Sequence, residues 1–376
     1  MYMAAGAEYG DANNITDAGY AKLYARSGTD WNIIQQIYGT RPPSWANSGN
    51  FGYSLDLSHD GSMLAITENG GAVYMYEYSN ITFLYELFHT INDISAREVS
   101  VSGDGMAVGV MTSSGAKIYE KIGDGFQQRG ADVSDNSSSG IALNYDGFIV
   151  IVGDGVFQWK DNNEDGSMKW IQMGSDFTDV DSSEIFGYTG CVSITYDGLT
   201  VSVGAEGYGR DGLLLRGLVR VYNYDSISDT WQQSGIDLVG DNAGDRFSKT
   251  ALSSDGTYLA VGAYYFGDYV KVFAKNGDNY ETVGDVIISE IEGGFGRSVD
   301  MSADASALVV GDDLFTFDRS IGDSYIGKVY VYDTFSYSPS TAPTIAPIAS
   351  SSMLPLSSPM SNKMSLFICM MLLWMF

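Results

Sequence analysis

Cysteine and histidine are almost missing from this chain, with two of each among 376 residues. Cys191 lies in a strand-like run and Cys369 at the extreme C-terminal end, so no disulfide framework is implied. His59 sits in a turn and His89 in an aromatic run, and no Ser or Cys nucleophile motif lies near either. No catalytic residue is therefore assigned. Basic residues are scarce too: 20 Lys and Arg stand against 47 Asp and Glu, for a net charge of −27. That balance repels phosphate backbones and anionic bilayers, which argues against nucleic acid as a partner. Helical periodicity is hard to find, and the opening MYMAAGAEYG has neither a basic n-region nor an apolar core, so no signal peptide is visible.

What is abundant points to β-structure. Forty-five glycines, 26 tyrosines and 6 tryptophans beside 18% charged residues describe a chain rich in turns and aromatic strand positions. An S-x-D-G-like turn recurs at Asp60, Asp104, Asp146, Asp197, Asp255 and Asp304, at intervals of roughly 42 to 58 residues. Ahead of most of these turns lies an alternating run, such as FGYSLDLS from Phe51 and FGRSVDMS from Phe295; alternation marks a strand with two unlike faces. After each turn comes a small apolar stretch, LAVGA from Leu259, VSVGA from Val201, MAVGV from Met106. A third strand follows as GAVYMY from Gly71, GLVRVYNY from Gly217, YVKVF from Tyr269 or GKVYVY from Gly327. A fourth begins at an aromatic residue: Trp31, Phe83, Phe126, Trp170, Trp231 or Tyr280.

Second strands that are apolar at successive positions imply burial on both faces, which stacked blades provide and an open sheet does not. A blade is also a wedge, with small residues where blades crowd and bulky ones where they diverge. The expected fold is all-β: a seven-bladed β-propeller of four-stranded blades over residues 1–335, with repeats starting near 2, 51, 97, 140, 186, 247 and 295. The first and last blades are expected to be incomplete, because MYMAAGAEYG aligns with the second strand YLAVGAYYFG from Tyr258 and the last repeat stops at KVYVYD. Two accounts remain open: the closing blade takes strands from both ends of the chain, or a preceding piece supplied its first strand.

The Phe-Gly pairs at 51/52, 186/187 and 295/296, followed by Val-Gly-Ala at 203–205 and 261–263, resemble the FG-GAP repeat that also builds the integrin alpha-subunit propeller. The resemblance spans roughly residues 2–335; Phe247 is followed by Ser248, and the copies at Arg97 and Gly140 lack the pair. It implies an extracellular adhesion or recognition module and names no ligand.

In integrin-like members the segment between first and second strands holds a D-x-D-x-D-G calcium loop. Here it shortens to SHDG, SGDG, NYDG, TYDG, SSDG and SADA, whose single Asp reads as a turn former. Only Asp161-Asn162-Asn163-Glu164-Asp165-Gly166 has the spacing of a calcium loop, with Asp161, Asn163 and Asp165 as candidate ligands; Gln172 stands where its closing Glu is expected, and a polar hairpin loop explains the same residues. Calcium is thus the one cofactor considered, and otherwise none is implied. GDNAGD, Gly240–Asp245, lacks the Lys and following helix of a phosphate loop.

From Pro339 to Pro359 the composition turns to Pro, Ser, Thr and Ala, so residues 336–364 read as a disordered stalk or linker. Residues 365–376 form a hydrophobic tail, LFICMMLLWMF from Leu366, too short to span a bilayer as a helix. Ser350, Ser351 and Ser352, a polar spacer and this tail resemble a GPI-attachment signal; a truncated transmembrane helix is the alternative. Sequons at Asn14, Asn80 and Asn136 would carry glycans in a secreted chain. These features together suggest a non-enzymatic, cell-surface or extracellular module that binds a protein or glycan ligand through propeller loops and meets the membrane only through its tail or a lipid anchor. The alternatives are a propeller enzyme with a central-channel site, marked by converging charged residues there, and an intracellular interaction scaffold.

Overall fold

The structure is a computed structural model that describes residues 1–10, 15, 18–39, 50–133, 140–162, 166–177, 191–209, 212–289, 294–312 and 327–333. All its regular elements in these residues are β-strands. The sheet β1 (Tyr2–Ala7), β2 (Tyr20–Ser27), β3 (Asp30–Tyr38) comes first. A seven-stranded sheet follows: β4 (Phe51–Leu57), β5 (Met63–Glu68), β6 (Gly71–Ser79), β7 (Leu84–Val101), β8 (Ala107–Thr112), β9 (Gly115–Ile122) and β10 (Gly125–Gln128). It is continuous because β7 is the outer partner of β6 near its start and the inner partner of β8 near its end. Two four-stranded sheets come next, β11 (Ile141–Leu143), β12 (Ile149–Val152), β13 (Gly155–Asp161), β14 (Met168–Gln172), and β15 (Val192–Ile194), β16 (Thr200–Ala205), β17 (Leu218–Asp225), β18 (Thr230–Val239). The chain continues with β19 (Phe247–Leu252), β20 (Tyr258–Ala263), β21 (Tyr269–Asn276), β22 (Asn279–Thr282), with β23 (Ile287–Ile288) also on β21. Last come β24 (Phe295–Met301), β25 (Ala307–Asp312) and β26 (Lys328–Asp333).

All of these pairings are antiparallel meanders, and the inner strands β4, β7, β11, β15, β19 and β24 surround one central channel. This is an all-β, propeller-type fold; the first and last sheets hold three strands each among the described residues, as expected, and two of the repeats run together in the seven-stranded sheet. The second strands β5, β8, β12 and β25 are buried at every position, since neighbouring sheets cover both faces. Their small residues are where sheets come closest. A Cβ on Gly262 would lie 2.0 Å from the Gly296 carbonyl oxygen, and one on Gly6 would lie 2.2 Å from that of Gly52. Both partner glycines have positive φ, 86° and 84°, so a Phe-Gly pair turns its carbonyl onto the glycine of the preceding sheet.

The aspartates after the inner strands are turn formers. Asp60, Asp104, Asp146, Asp197, Asp255 and Asp304 each accept the backbone N–H two residues on, at 2.8–3.0 Å. All but Asp146 also accept a hydroxyl from two residues back, at 2.6–2.8 Å. Backbone bonds then link turn to turn around the channel: His59 to Gly103, Asp104 to Tyr145, Tyr145 to Tyr196, Tyr196 to Ser254 and Ser254 to Ala303, at 2.8–3.2 Å. The outer tryptophans tie the rim, Trp170 Nε1 donating to the Arg129 carbonyl at 3.0 Å and Trp231 Nε1 to that of Met173 at 2.8 Å. At Trp170 and Trp231 the aromatic start of the fourth strand thus ties its sheet to the preceding one.

Candidate ligand site at the channel mouth

Inner strands run away from one end of the channel and second strands run back to it, so the starts of the former and the ends of the latter meet at one mouth. Polar groups on the inner strands mostly staple neighbours: Val99 N–H bonds Ser54 Oγ at 3.2 Å, Val101 N–H bonds Asp56 Oδ2 at 2.7 Å and Leu143 N–H bonds Ser100 Oγ at 3.1 Å. Lys249 breaks this pattern. Its register partner is Gly262, as Ser298 is paired with Gly311, so it puts an ammonium where β24 has a serine.

Lys249 is 7% exposed, and its Nζ lies 3.5 Å from the Cys191 thiol and 5.2 Å from the centre of the Tyr264 ring. The Tyr264 hydroxyl donates to Glu206 Oε2 at 2.7 Å. Arg246 Nη1 lies 3.4 Å from that hydroxyl and 3.7 Å from Glu206 Oε1, while its buried Nε–H has no hydrogen-bond partner among the described residues. The Arg297 guanidinium stands 5.7 Å from the Tyr264 ring, and Glu98 lines the same channel. The channel cavity is about 170 Å³.

Electrostatics keep this cluster charged. Burial by itself would push the Lys249 ammonium down, but Cys191, Tyr264, Glu206 and Glu98 around it outweigh that and raise it above the ordinary lysine value. The Cys191 thiol is pushed up by complete burial, with the Lys249 ammonium opposing. Burial raises the Tyr264 phenol as well, with Lys249 opposing and Glu206 adding to it. Burial raises Tyr53 to about 12, helped by Glu98 and Glu8. A site of this kind can hold an anion against Lys249 and its neighbouring guanidinium groups, and Tyr264 can donate or accept a hydrogen bond there. Arg246 reaches it through a left-handed backbone, φ 50°, which a non-glycine residue adopts only under strain; Ser248, which replaces the Phe-Gly glycine, does not take that conformation.

At the opposite end the channel is lined by aromatic rings. Tyr145 stacks on Tyr196 at 3.9 Å, and the His59 ring stands edge-on to both, at 6.1 and 5.5 Å. Burial lowers the His59 pKa, with Asp60 and Asp304 opposing, so the ring is neutral.

The residues singled out from sequence lie elsewhere. Asp161 ends β13 opposite Met168 in a hairpin, away from the mouth, and Gln172 bonds Asp176 instead of facing that loop. Asn163 and Asp165 lie outside the described residues; among the described ones no group of three metal-ligating side chains occurs. Asn80 is exposed at the β6–β7 turn. Asn14, Asn136, Ser350, Ser351 and Ser352 lie outside the described residues. The Gly240–Asp245 loop closes on its own aspartate: Asp245 Oδ2 accepts the backbone N–H groups of Asp241 and Asn242 at 2.9 and 2.8 Å and the Tyr269 hydroxyl at 2.9 Å, so those two amides are already used. Sequence reasoning missed Lys249, Glu206, Arg246 and Tyr264, which belong to no motif. The one available signal was a lysine in an inner strand at the position where β24 carries serine and β15 is preceded by Cys191.

No family model and no curated sequence matches the chain. Solved structures do. A protein from Lactobacillus plantarum is similar at TM-score 0.58 and 16% identity, over 89% of this chain and 93% of its own. A β-propeller domain from Myceliophteria thermophila gives 0.54 and 10%, over 78% and 86%. The periplasmic gluconolactonase of Pseudomonas aeruginosa gives 0.52 and 16%, over 83% and 92%. The fold is that of β-propellers. At these identities the likeness carries the fold and no activity.

Proposed function

We propose that this propeller binds a small organic anion at the mouth of its central channel. The observation that carries the reading is Lys249, a buried ammonium held charged in a chain of net charge −27, with Arg246 and Arg297 gathered around Tyr264 beside it. Burying charge is costly, and a chain this poor in cations gathers three of them at one channel mouth against the two carboxylates Glu206 and Glu98, a balance matched to an incoming negative group. Calorimetric titration with gluconate and benzoate tests this. Binding that falls at least tenfold in Lys249→Gln and in Arg297→Gln supports the reading; anions that bind neither the intact protein nor these variants would remove it.

A second reading is lactone hydrolysis at the same mouth. A gluconolactonase stands among the propellers of like fold, and the Glu206–Tyr264 pair offers a proton acceptor and donor beside a cationic group. Acid release from glucono-1,5-lactone, abolished by Glu206→Gln, would favour it over binding alone.

A further inference from the structure

The walls of the mouth are unequal. The hairpins after β5, β8 and β12 are tight, Asn69-Gly70, Ser113-Ser114 and Gly153-Asp154, whereas the connections after β1, β16, β20 and β25 are longer; those after β16 and β20 meet beside Arg246 and form one wall there. Backbone bonds knit that wall from three segments: Gly244 N–H to the Leu214 carbonyl at 2.9 Å, Arg246 N–H to that of Leu215 at 3.0 Å, and Phe266 N–H to that of Gly244 at 3.2 Å. The Phe266 ring lies on Gly244, where a Cβ would come within 2.2 Å of it. Leu215 takes a left-handed φ of 55°, like Arg246 at 50° beside it. Bulky residues adopt that backbone only when the surroundings enforce it, and such strain clusters at ligand clamps.

This rigid wall presents apolar groups to water. Leu214 and Phe266 are each 73% exposed and Tyr265 51%, with the Tyr265 and Phe266 rings 4.6 Å apart. They continue directly into the cationic cluster: the Arg246 guanidinium lies 4.7 Å over the Tyr265 ring and 3.4 Å from the Tyr264 hydroxyl, and Tyr264 faces Lys249. Exposed apolar side chains beside buried cations are complementary to a molecule with an apolar body and an anionic head.

We infer that the ligand of this mouth is an amphiphilic carboxylate, an acyl or aryl acid whose anionic head meets Lys249, Arg246 and Arg297 while its apolar body lies on Leu214, Tyr265 and Phe266. The inference rests on the anion-binding reading above and narrows its ligand class. Each buried methylene should tighten binding roughly fourfold.

The test is a calorimetric series of acetate, hexanoate and octanoate, with gluconate as the polar anion, on the full chain and on Leu214→Ser and Phe266→Ser. Both variants alter exposed side chains outside the cationic cluster, and gluconate binding reads whether that cluster is still in place. The expected result is affinity that climbs with chain length, at least tenfold from acetate to hexanoate. That gain should be flattened in both variants while gluconate binding is unchanged. Equal affinity for all the acids overturns the inference and leaves the anion site standing, as does a chain-length gain that survives both substitutions. Failure of every anion, gluconate included, removes the anion site and the inference with it. Capture of a protein by this wall, with no acid bound, also counts against it.

Discussion

The strands Tyr2–Ala7 and Tyr258–Ala263 read YMAAGA and YLAVGA, nearly the same sequence, yet they have different neighbours. Each pairs with a following third strand in the same way: the Met1 carbonyl accepts Arg26 N–H and the Thr257 carbonyl accepts Lys275 N–H. Each also sets its glycine against the carbonyl of the next inner strand. On the other edge β20 is bonded to β19, and β1 has no strand paired with it among the described residues. Its Tyr2, Ala4 and Gly6 N–H groups point to that edge, because alternate residues face β2. The comparison shows that hairpin pairing follows from local pattern, while attachment to the channel depends on the inner strand.

The largest expected difference between the two is in backbone protection. Where no residue outside the described ones pairs with β1, amides of Tyr2, Ala4 and Gly6 should exchange at least about 100-fold faster than those of Tyr258, Ala260 and Gly262, which face an inner strand. Exchange mass spectrometry or NMR that finds equal protection would break the contrast. Where the two strands are alike, the effect of mutation should be alike. Gly6→Ala and Gly262→Ala each drive a Cβ into a neighbouring carbonyl and should each cost roughly 2–4 kcal/mol in urea melts. A harmless Gly6→Ala would mean that the first sheet is loosely packed on the second.

Asp312 sharpens the same seam, since β25 packs its Ala307 and Val309 against Met3, Ala5 and Ala7 of β1. Burial raises the Asp312 carboxyl to about 6, with Ser289 opposing and Asp268 adding to it, and its Oδ1 has no partner among the described residues. The folded chain therefore holds this proton more tightly than the unfolded chain. The group favours folding below about pH 4, and that advantage is lost as pH rises through 6. Asp312→Asn should stabilise the protein at pH 7 by about 1–2 kcal/mol, less than the full shift because solvent screens part of it, and should do nothing at pH 4. Thermal melts at the two pH values read this directly.

The turn aspartates have the opposite sign. Burial would raise Asp60 and Asp255, but their hydroxyl and backbone donors outweigh it and lower both below the usual aspartate value. Their contribution is present above about pH 4 and lost as pH falls below it. Asp255→Ala, beside β20, should cost roughly 1 kcal/mol at pH 7 and less at pH 3. A pH-independent loss would mean that the turn is held by Gly256 alone.

Much of the fold was legible in the sequence because each repeat is a local meander. The S-x-D-G turn, the buried second strand and the Tyr-rich third strand recur at fixed offsets, and all are short-range devices. The Asp161 loop was legible as a hairpin for the same reason. The mouth was not. By alignment FSKTALS is one residue shorter than FGYSLDLS, and both inner strands carry a register shift near their starts, so the place of Lys249 cannot be read from spacing. Glu206 and Tyr264 follow different second strands, and Arg246 lies in a loop between repeats.

The sequence by itself therefore determined the strands, their turns and the wedge of small and bulky residues that makes sheets stack into a ring, since these depend on neighbours a few residues away. Only the tertiary structure decided that one lysine, two arginines, a glutamate and a tyrosine meet at one end of the channel. Their proximity comes from the packing of three consecutive sheets, and charge, burial and proton affinity follow from that proximity. It also decided that β1, for all its likeness to β20, is paired on one edge only among the described residues.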